Sequence, residues 1–337
     1  MFRRRAPRHG FTATVPAARP DHPARAAAPP GAPGGPGAAG GPRAAGGPAA
    51  PGGPAAPGGT PPAGLDVSAA HPARVWNYWL GGRDYFAADR AAGEQISREF
   101  PHLAQTARAE RAFLVRAVRF LAGPAKIRQF LDVGAGLPAG GNTHEIAQRI
   151  AAETGIVYAD NDPAVLLHAR ALLQTPMLAS TPEGTVSYVD ADLRDVTALL
   201  AGSARTLDLE RPVALIMLGV LGHIDDHGAA RSITSQLMNA LPSGSYLAIA
   251  DGVAGTGPAA EPVAEAQRRY NDGAVLPYHL RRPEELASFF DGLDLIEPGV
   301  VPCPEWKPDT SGRAAGASAA SAAEEAAAAY CGVARKR

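Results

Sequence analysis

Cysteine and long apolar runs are scarce in this sequence, and their scarcity excludes several classes of protein. The 337 residues contain two cysteines, Cys303 and Cys331, which are too few for a secreted disulfide scaffold and lack the spacing of a metal site. No run of 18 or more residues is apolar, so no membrane-spanning helix is predicted. Twin arginines occur near the start, at Arg3 and Arg4, but the apolar segment of a signal peptide does not follow them. We therefore predict a cytoplasmic protein without a metal centre.

Lysine is equally rare, and the overall charge is nearly balanced. Lysine occurs only at Lys126, Lys307 and Lys336, and 32 basic residues face 33 acidic ones for a net charge of -1. Such a balance provides no general attraction to nucleic acid or to acidic membranes. We therefore expect neither as a partner.

Composition divides the chain into a tail and a domain. Residues 24–64 are almost entirely alanine, proline and glycine, which bury too little surface to offset the entropy of ordering. We predict a disordered tail over residues 1–65 and one domain over residues 66–337. Within that domain, residues 66–122 are predicted to form a helical cap, and residues 311–329 an Ala/Ser-rich insertion.

Short apolar runs alternate with helical patterns after residue 122. This alternation is typical of a parallel sheet with helices on both faces. The predicted fold is α/β, with a Rossmann-like, seven-stranded, mostly parallel sheet and a helical N-terminal extension. The last two strands lack a long helix between them, so one edge is expected to be antiparallel. The predicted strands are Ile127–Val133, Ile156–Ala159, Val186–Val189, Val213–Leu218, Tyr246–Ala250, Leu293–Ile296 and Tyr330–Val333. The predicted helices between them are Thr143–Glu153, Pro163–Leu173, Val196–Leu200, Ala229–Leu241, Pro262–Tyr270 and Pro283–Phe290.

A glycine-rich turn follows the first predicted strand. The sequence Asp132-Val-Gly134-Ala-Gly136 lets the backbone approach a ligand at the carboxyl edge of the sheet. Asp132 can hold the ammonium group of S-adenosylmethionine (AdoMet), directly or through water, whereas it would repel a pyrophosphate. A tight turn with a purely structural role is the alternative explanation.

Acidic residues follow the next two predicted strands. Asp160 lies 24 residues after Gly136 and can accept hydrogen bonds from ribose hydroxyls; its neighbour Asn161 is included in the predicted site. Asp162 precedes a proline and suits the N-cap of a helix. The alternative is that both acids only manage the helix start.

The third and fourth predicted strands complete the candidate site. Asp192 and Leu193 are placed to contact adenine through a carboxylate and a backbone amide. His223 and Asp225 follow the fourth strand and are candidates for a general base, although a histidine beside an apolar run also serves as an ordinary packing residue.

The segment from His71 to Arg90, HPARVWNYWLGGRDYFAADR, resembles the actinobacterial S-adenosyl methyltransferase family, once known as a domain of unknown function. So do Ala109–Leu114, the stretch from Asp132 to Asn142, and the pairs Tyr270-Asn271 and Pro298-Gly299. The resemblance covers residues 66–337 and implies AdoMet as the cofactor and a class I methyltransferase fold, whose antiparallel edge separates it from a plain dinucleotide-binding sheet. It implies no particular acceptor.

The segment around Gly81-Gly82 is unusual for a helical region, because glycine destabilises a helix. One explanation is a lid over the cofactor that includes Asn77, Tyr78 and Gly82, with Tyr78 or Trp79 against the ligand. The other is an Arg–Asp network that only docks two helices.

The favoured function is therefore AdoMet-dependent methyl transfer to a small molecule, which relies mainly on positioning and desolvation. A non-catalytic AdoMet-binding regulator is the first alternative. A nicotinamide-dependent oxidoreductase is the second alternative, and the acids Asp132 and Asp192 disfavour it.

Overall fold

The computed structural model describes residues 65–101, 103–173, 184–254, 265, 267–268, 271–272, 277–307 and 327–337. The described part begins with helices, and strands and further helices follow them. The predicted tail, the predicted helix Pro262–Tyr270 and the Ala/Ser-rich insertion lie wholly or mainly outside these residues. None of the described helices is long and apolar enough to cross a membrane.

The first three helices pack against one another, and the third also packs on the sheet. They are α1 (Pro72–Trp79), α2 (Ala87–Glu99) and α3 (Leu103–Ala122). Val75, Trp79, Ile96 and Phe100 pack together as an apolar cluster between them. These three helices, called the cap below, lie within residues 66–122, the range of the predicted helical cap.

The Gly81-Gly82 pair ends α1. Gly81 has a φ of 77°, and its amide donates to the Tyr78 carbonyl while the Gly82 amide donates to the Asn77 carbonyl at 2.8 Å. This is the Schellman arrangement, in which glycine supplies the left-handed residue. A Cβ on Gly82 would also lie 2.2 Å from Asn77 Oδ1. Both glycines therefore have a structural reason within the helix terminus.

The described residues form eight strands: β1 (Gln129–Val133), β2 (Gly155–Asp160), β3 (Val186–Asp190), β4 (Ala214–Leu218), β5 (Tyr246–Ala254), β6 (Asp294–Leu295), β7 (Val301–Pro302) and β8 (Ala327–Arg335). They lie in one sheet in the order β3-β2-β1-β4-β5-β8-β6, and β7 also pairs with β8. The first five strands in this order are parallel to one another, and β8 is antiparallel to each of its neighbours.

The predicted mostly parallel α/β sheet and its antiparallel edge are confirmed, and the described residues add one short strand to the seven predicted. The predicted strand Leu293–Ile296 shortens to β6, and the additional strand β7 follows a turn in which Gly299 has a φ of 91°. That turn breaks the extended run, so two short strands share β8 as their partner.

Helices cover both faces of the sheet, as predicted. They are α4 (Thr143–Ile150), α5 (Pro163–Leu173), α6 (Val196–Ser203), α7 (His227–Ala240) and α8 (Pro283–Ala287). Successive strand residues point to opposite faces. In β1, for example, Leu131 packs with Leu199 of α6 and Leu237 of α7 in one cluster, whereas Phe130 packs with Phe113 of α3 and Ile146 of α4 in the other. The parallel strands consequently end at one shared edge, close to the cap.

Candidate cofactor site

A cavity of about 360 Å³ lies where the parallel strands end, between the sheet and the helices α1 and α3. Most of the predicted site residues line it, namely Asn77, Asp132, Gly134, Gly136, Asp160, Asn161, Asp192, Leu193 and His223. These residues come from five separate segments of the chain. The cavity is therefore the candidate site.

The glycine-rich turn after β1 presents bare backbone to this cavity. Gly134 and Gly136 have φ angles of 71° and 65°, in the left-handed region that glycine adopts without strain. A Cβ on Gly134 would lie 2.6 Å from a methyl group of Val220, whereas a Cβ on Gly136 would have no atom of the described residues within 4 Å. Gly134 is thus required by packing, and Gly136 leaves open space on the cavity side.

Asp132 is a buried acid at the end of β1. Its Oδ2 accepts a hydrogen bond from the Thr143 hydroxyl at 2.6 Å. Burial raises the pKa of Asp132 to about 6, against the opposing effects of that hydrogen bond and of the Arg111 charge. The carboxylate therefore gains from any cation that enters the cavity.

Asp160 holds the glycine-rich turn from the end of β2. Its Oδ2 accepts from the Gly136 amide at 2.8 Å, and its Oδ1 accepts from the Asp162 amide at 2.9 Å. Burial raises the pKa of Asp160, while the two amide hydrogen bonds act in the opposite direction. The predicted ribose acceptor thus lines the cavity and also fixes the backbone of the turn.

The ends of β2 and β3 are joined by side chains. Asn161 donates from Nδ2 to Oδ2 of Asp192 at 3.2 Å, and Oδ1 of Asp192 accepts from the Arg194 amide at 2.8 Å. Leu193 is buried beside them. The residues predicted to contact adenine are therefore in one place.

Asp162 acts as the N-cap of α5, as predicted. Its Oδ1 accepts from the Ala164 amide at 2.8 Å. Its Oδ2 lies 2.9 Å from Nδ1 of His71 and 3.6 Å from Nε of Arg74. Although burial acts to raise it, the pKa of Asp162 is lowered, because His71, Arg74 and the Ala164 amide stabilise the carboxylate. This acid fastens the start of α1 to α5.

The structure has features of both explanations for the Gly81-Gly82 segment, the lid and the Arg–Asp network. α1 lines the cavity, and Arg74 lies 3.5 Å from the buried Asp89 as well as near Asp162. The face of α1 toward the cavity carries Trp76 and Asn77. The cap is therefore both a wall of the site and a docked ion-pair network.

Three predicted site residues lie outside the cavity lining, which corrects their expected placement. Tyr78 packs edge-on against Tyr85 with ring centroids 5.1 Å apart, because its position on α1 faces α2. Gly82 belongs to the helix terminus described above. Asp225 is a surface residue whose side chain is 85% exposed and lies 3.1 Å from His279 Nδ1.

His223 follows β4 in a short helical turn and lines the cavity. Its Nδ1 lies 3.1 Å from the Pro277 carbonyl oxygen, which assigns the ring proton to Nδ1. Burial lowers the pKa of His223 to about 4, partly opposed by that hydrogen bond. The imidazole is therefore neutral at pH 7, with the lone pair on Nε2.

Sequence reasoning missed two charged residues of α3 that line the cavity, Glu110 and Arg111. Arg111 donates from Nη2 to the Ala139 carbonyl at 2.7 Å and to Asn142 Oδ1 at 2.8 Å, and so clamps the glycine-rich loop. Glu110 is 2% exposed. The available signal was the position of Glu110 one helical turn before the buried Phe113 and Leu114.

Comparison with known proteins agrees with this geometry. The S-adenosyl methyltransferase family matches residues 59–337. A DUF574 family protein from Streptomyces avermitilis is 43% identical over 81% of this chain and 99% of its own, with a TM-score of 0.70. A protein from Thermobifida fusca, described as a methyltransferase, is 37% identical over 82% of this chain and 98% of its own, with a TM-score of 0.71. No curated protein matches the sequence. The chain therefore belongs to the S-adenosyl methyltransferase family, whose cofactor is AdoMet.

Proposed function

We propose that this protein transfers the methyl group of AdoMet to a small-molecule acceptor. The observation that carries the proposal is the convergence of three strand-end acids and an open glycine-rich turn on one cavity of about 360 Å³. Family membership supports the methyltransferase class.

The residues of the cavity fit AdoMet by their chemistry. Gly136 leaves room for a ligand against the backbone. Asp132 would hold the ammonium group, and Asp160 would accept from the ribose hydroxyls through lone pairs that the two backbone amides leave free. Asp192 and Leu193 would contact the adenine. Nδ2 of Asn77 is a further buried donor at this wall, without a hydrogen-bond partner among the described residues.

Bound AdoMet supplies an electrophilic methyl group on a sulfonium. The protein's part is to align the acceptor with that group and to exclude water, which can lower the barrier by about 7–11 kcal/mol. α1 and α3 cover the cavity opposite the strand ends. Nε2 of neutral His223 would accept a hydrogen bond or a proton from the acceptor, and the imidazole stays neutral at pH 7 because burial lowers its pKa to about 4.

Formation of S-adenosylhomocysteine (AdoHcy) tests the proposal. The purified protein is incubated with AdoMet and the small-molecule filtrate of a bacterial extract, and AdoHcy is quantified by mass spectrometry. We expect AdoHcy to accumulate with the wild-type protein and to fall about 100-fold or more with His223→Gln. His227→Gln is the matched control, because it makes the same substitution at a histidine that does not line the cavity. AdoMet binding without AdoHcy formation from any filtrate would favour the non-catalytic alternative.

A further inference from the structure

Glu110 is a buried carboxyl that none of the predicted cofactor contacts uses. It lines the cavity at 2% exposure, and neither of its side-chain oxygens has a hydrogen-bond partner among the described residues. A buried carboxyl without a partner costs free energy unless it is protonated or a ligand pairs with it. Burial accordingly raises the pKa of Glu110 well above its ordinary value.

Among the described residues, the charged groups around Glu110 supply no counter-charge. Asp251 of β5 and the Cys303 thiol each raise the pKa of Glu110 further. Arg111, the next residue, is directed toward the carbonyl of Ala139 and Asn142. Arg281 donates to the backbone carbonyls of Leu221 and Ile224. A cation that enters the cavity would therefore be the first positive charge to pair with Glu110.

Glu110 and Asp132 have different neighbours in the cavity wall. A Cβ on Gly219, the residue after β4, would lie 3.0 Å from Glu110 Oε2 and 3.0 Å from the ring of Trp76. The charges that act on Asp132 are those of Arg111 and Asp160, whereas the carboxylate that acts on Glu110 is Asp251. With Asp132 assigned to the AdoMet ammonium, Glu110 remains available to a second cation.

An apolar slot of about 50 Å³ adjoins this part of the cavity. Trp76 and His223 line both spaces. Leu103 and Thr106, which lie two turns and one turn before Glu110 on α3, line the slot. The remaining slot residues include Val75, Trp79, Ile96 and Phe100. A buried acid thus lies beside a space that favours an apolar group.

We propose that the methyl acceptor is an amine with an apolar substituent, whose nitrogen pairs with Glu110 and whose substituent enters the slot beside Trp76. This proposal rests on the proposed methyltransferase function and names its substrate class.

The chemistry balances with Glu110 as the proton acceptor. An ammonium that enters the cavity displaces the proton of Glu110 into solvent and then passes one of its own protons to the carboxylate. The resulting neutral amine and carboxylic acid are favoured over two charges in low-dielectric surroundings. The nitrogen lone pair forms the new N–C bond, the electron pair of the S–C bond stays on sulfur, and the positive charge moves from sulfur to nitrogen. The methylated ammonium leaves, and Glu110 remains protonated as in the free protein.

Calorimetry with matched amines and alcohols tests the proposal. Protein saturated with AdoHcy is titrated at pH 7 with benzylamine, 2-phenylethylamine and hexylamine, and with benzyl alcohol, 2-phenylethanol and 1-hexanol. We expect at least one amine to bind tenfold or more tightly than its alcohol. Repeating the titration in phosphate and in Tris should show a proton released with that amine and none with the alcohol. Glu110→Gln should abolish both effects, and Glu99→Gln, exposed on α2, should keep them.

Several outcomes would overturn this inference. The first is that the wild-type protein binds no amine more tightly than its alcohol. The second is that the preference for the amine survives in Glu110→Gln. The third is that Glu110→Gln loses affinity for AdoHcy but keeps its affinity for the amine. The absence of an amine preference in the wild-type protein overturns the inference even if the variant does not fold. A wild-type protein that binds no AdoHcy contradicts the proposed function instead, and the amine titration without AdoHcy still tests Glu110.

Discussion

Replacing Gly136 by alanine separates the cost of folding from the cost of binding. Its φ of 65° lies in the left-handed region, where a side chain costs about 1–2 kcal/mol. No atom of the described residues lies within 4 Å of the added Cβ, so no clash with them increases that cost. In a domain of this size, we expect the melting temperature to fall by about 2–8 °C.

The binding cost of Gly136→Ala should be larger, because Gly136 lines the cavity and the added methyl group occupies space that the ligand needs. We expect the AdoHcy affinity to fall at least tenfold, or about 1.4 kcal/mol. Thermal denaturation and isothermal titration measure the two effects separately.

Gly140→Ala is the matched control for this prediction. Gly140 is an exposed glycine of the same loop, also with no atom within 4 Å of an added Cβ, and it does not line the cavity. Its replacement should change neither the melting temperature nor the affinity. Wild-type affinity for AdoHcy in Gly136→Ala would refute the inference that the turn faces the ligand.

Two further predictions concern the acids of the site. Asp162→Ala removes both a helix cap and the buried contact with His71, so chemical denaturation should show that the free energy of unfolding falls by about 2–4 kcal/mol. Asp195→Ala removes only the exposed cap of α6 and should lower it by about 1 kcal/mol. Equal losses in the two variants would contradict a stabilising contact between Asp162 and His71. Because burial raises the pKa of Asp132 to about 6, its carboxylate is present above that pH and lost below it. Calorimetric titrations should therefore show the AdoHcy affinity falling about tenfold per pH unit below pH 6. The same dependence of affinity on pH in Asp132→Asn would contradict this assignment.

Local sequence patterns were enough to predict the strand ends and the N-cap residue of α5. Asp162 was correctly predicted as an N-cap because capping depends on the following proline and on an amide two residues away. The second role of Asp160 was not predictable in this way. Its bond to the Gly136 amide joins residues 24 apart in the chain and depends on the parallel pairing of β1 with β2.

The orientation of α1 could not be obtained from its own residues. Trp76, Tyr78 and Trp79 occur close together, and any of them could face a ligand. The docking of Trp79 Nε1 on Gly93 and Ser97 of α2 fixes the helix so that Trp76 lines the main cavity. This contact is tertiary, and its partners lie in another helix.

Glu110 illustrates a different limit. A charged residue at the edge of an amphipathic helix ordinarily belongs to the solvent face. Here α1 and the end of β4 cover that edge of α3, so the charge is buried. The helical pattern places Glu110 beside the apolar face of α3, but the burial of its carboxyl depends on the packing of three elements.

Calorimetric titration with AdoMet and with NAD tests the cofactor assignment most directly. The acid beside the glycine-rich turn should bind the ammonium of AdoMet and repel a pyrophosphate. We predict a saturable binding heat with AdoMet at pH 7.5 and none with NAD under the same conditions. A binding heat with NAD and none with AdoMet would contradict the assignment of this cavity.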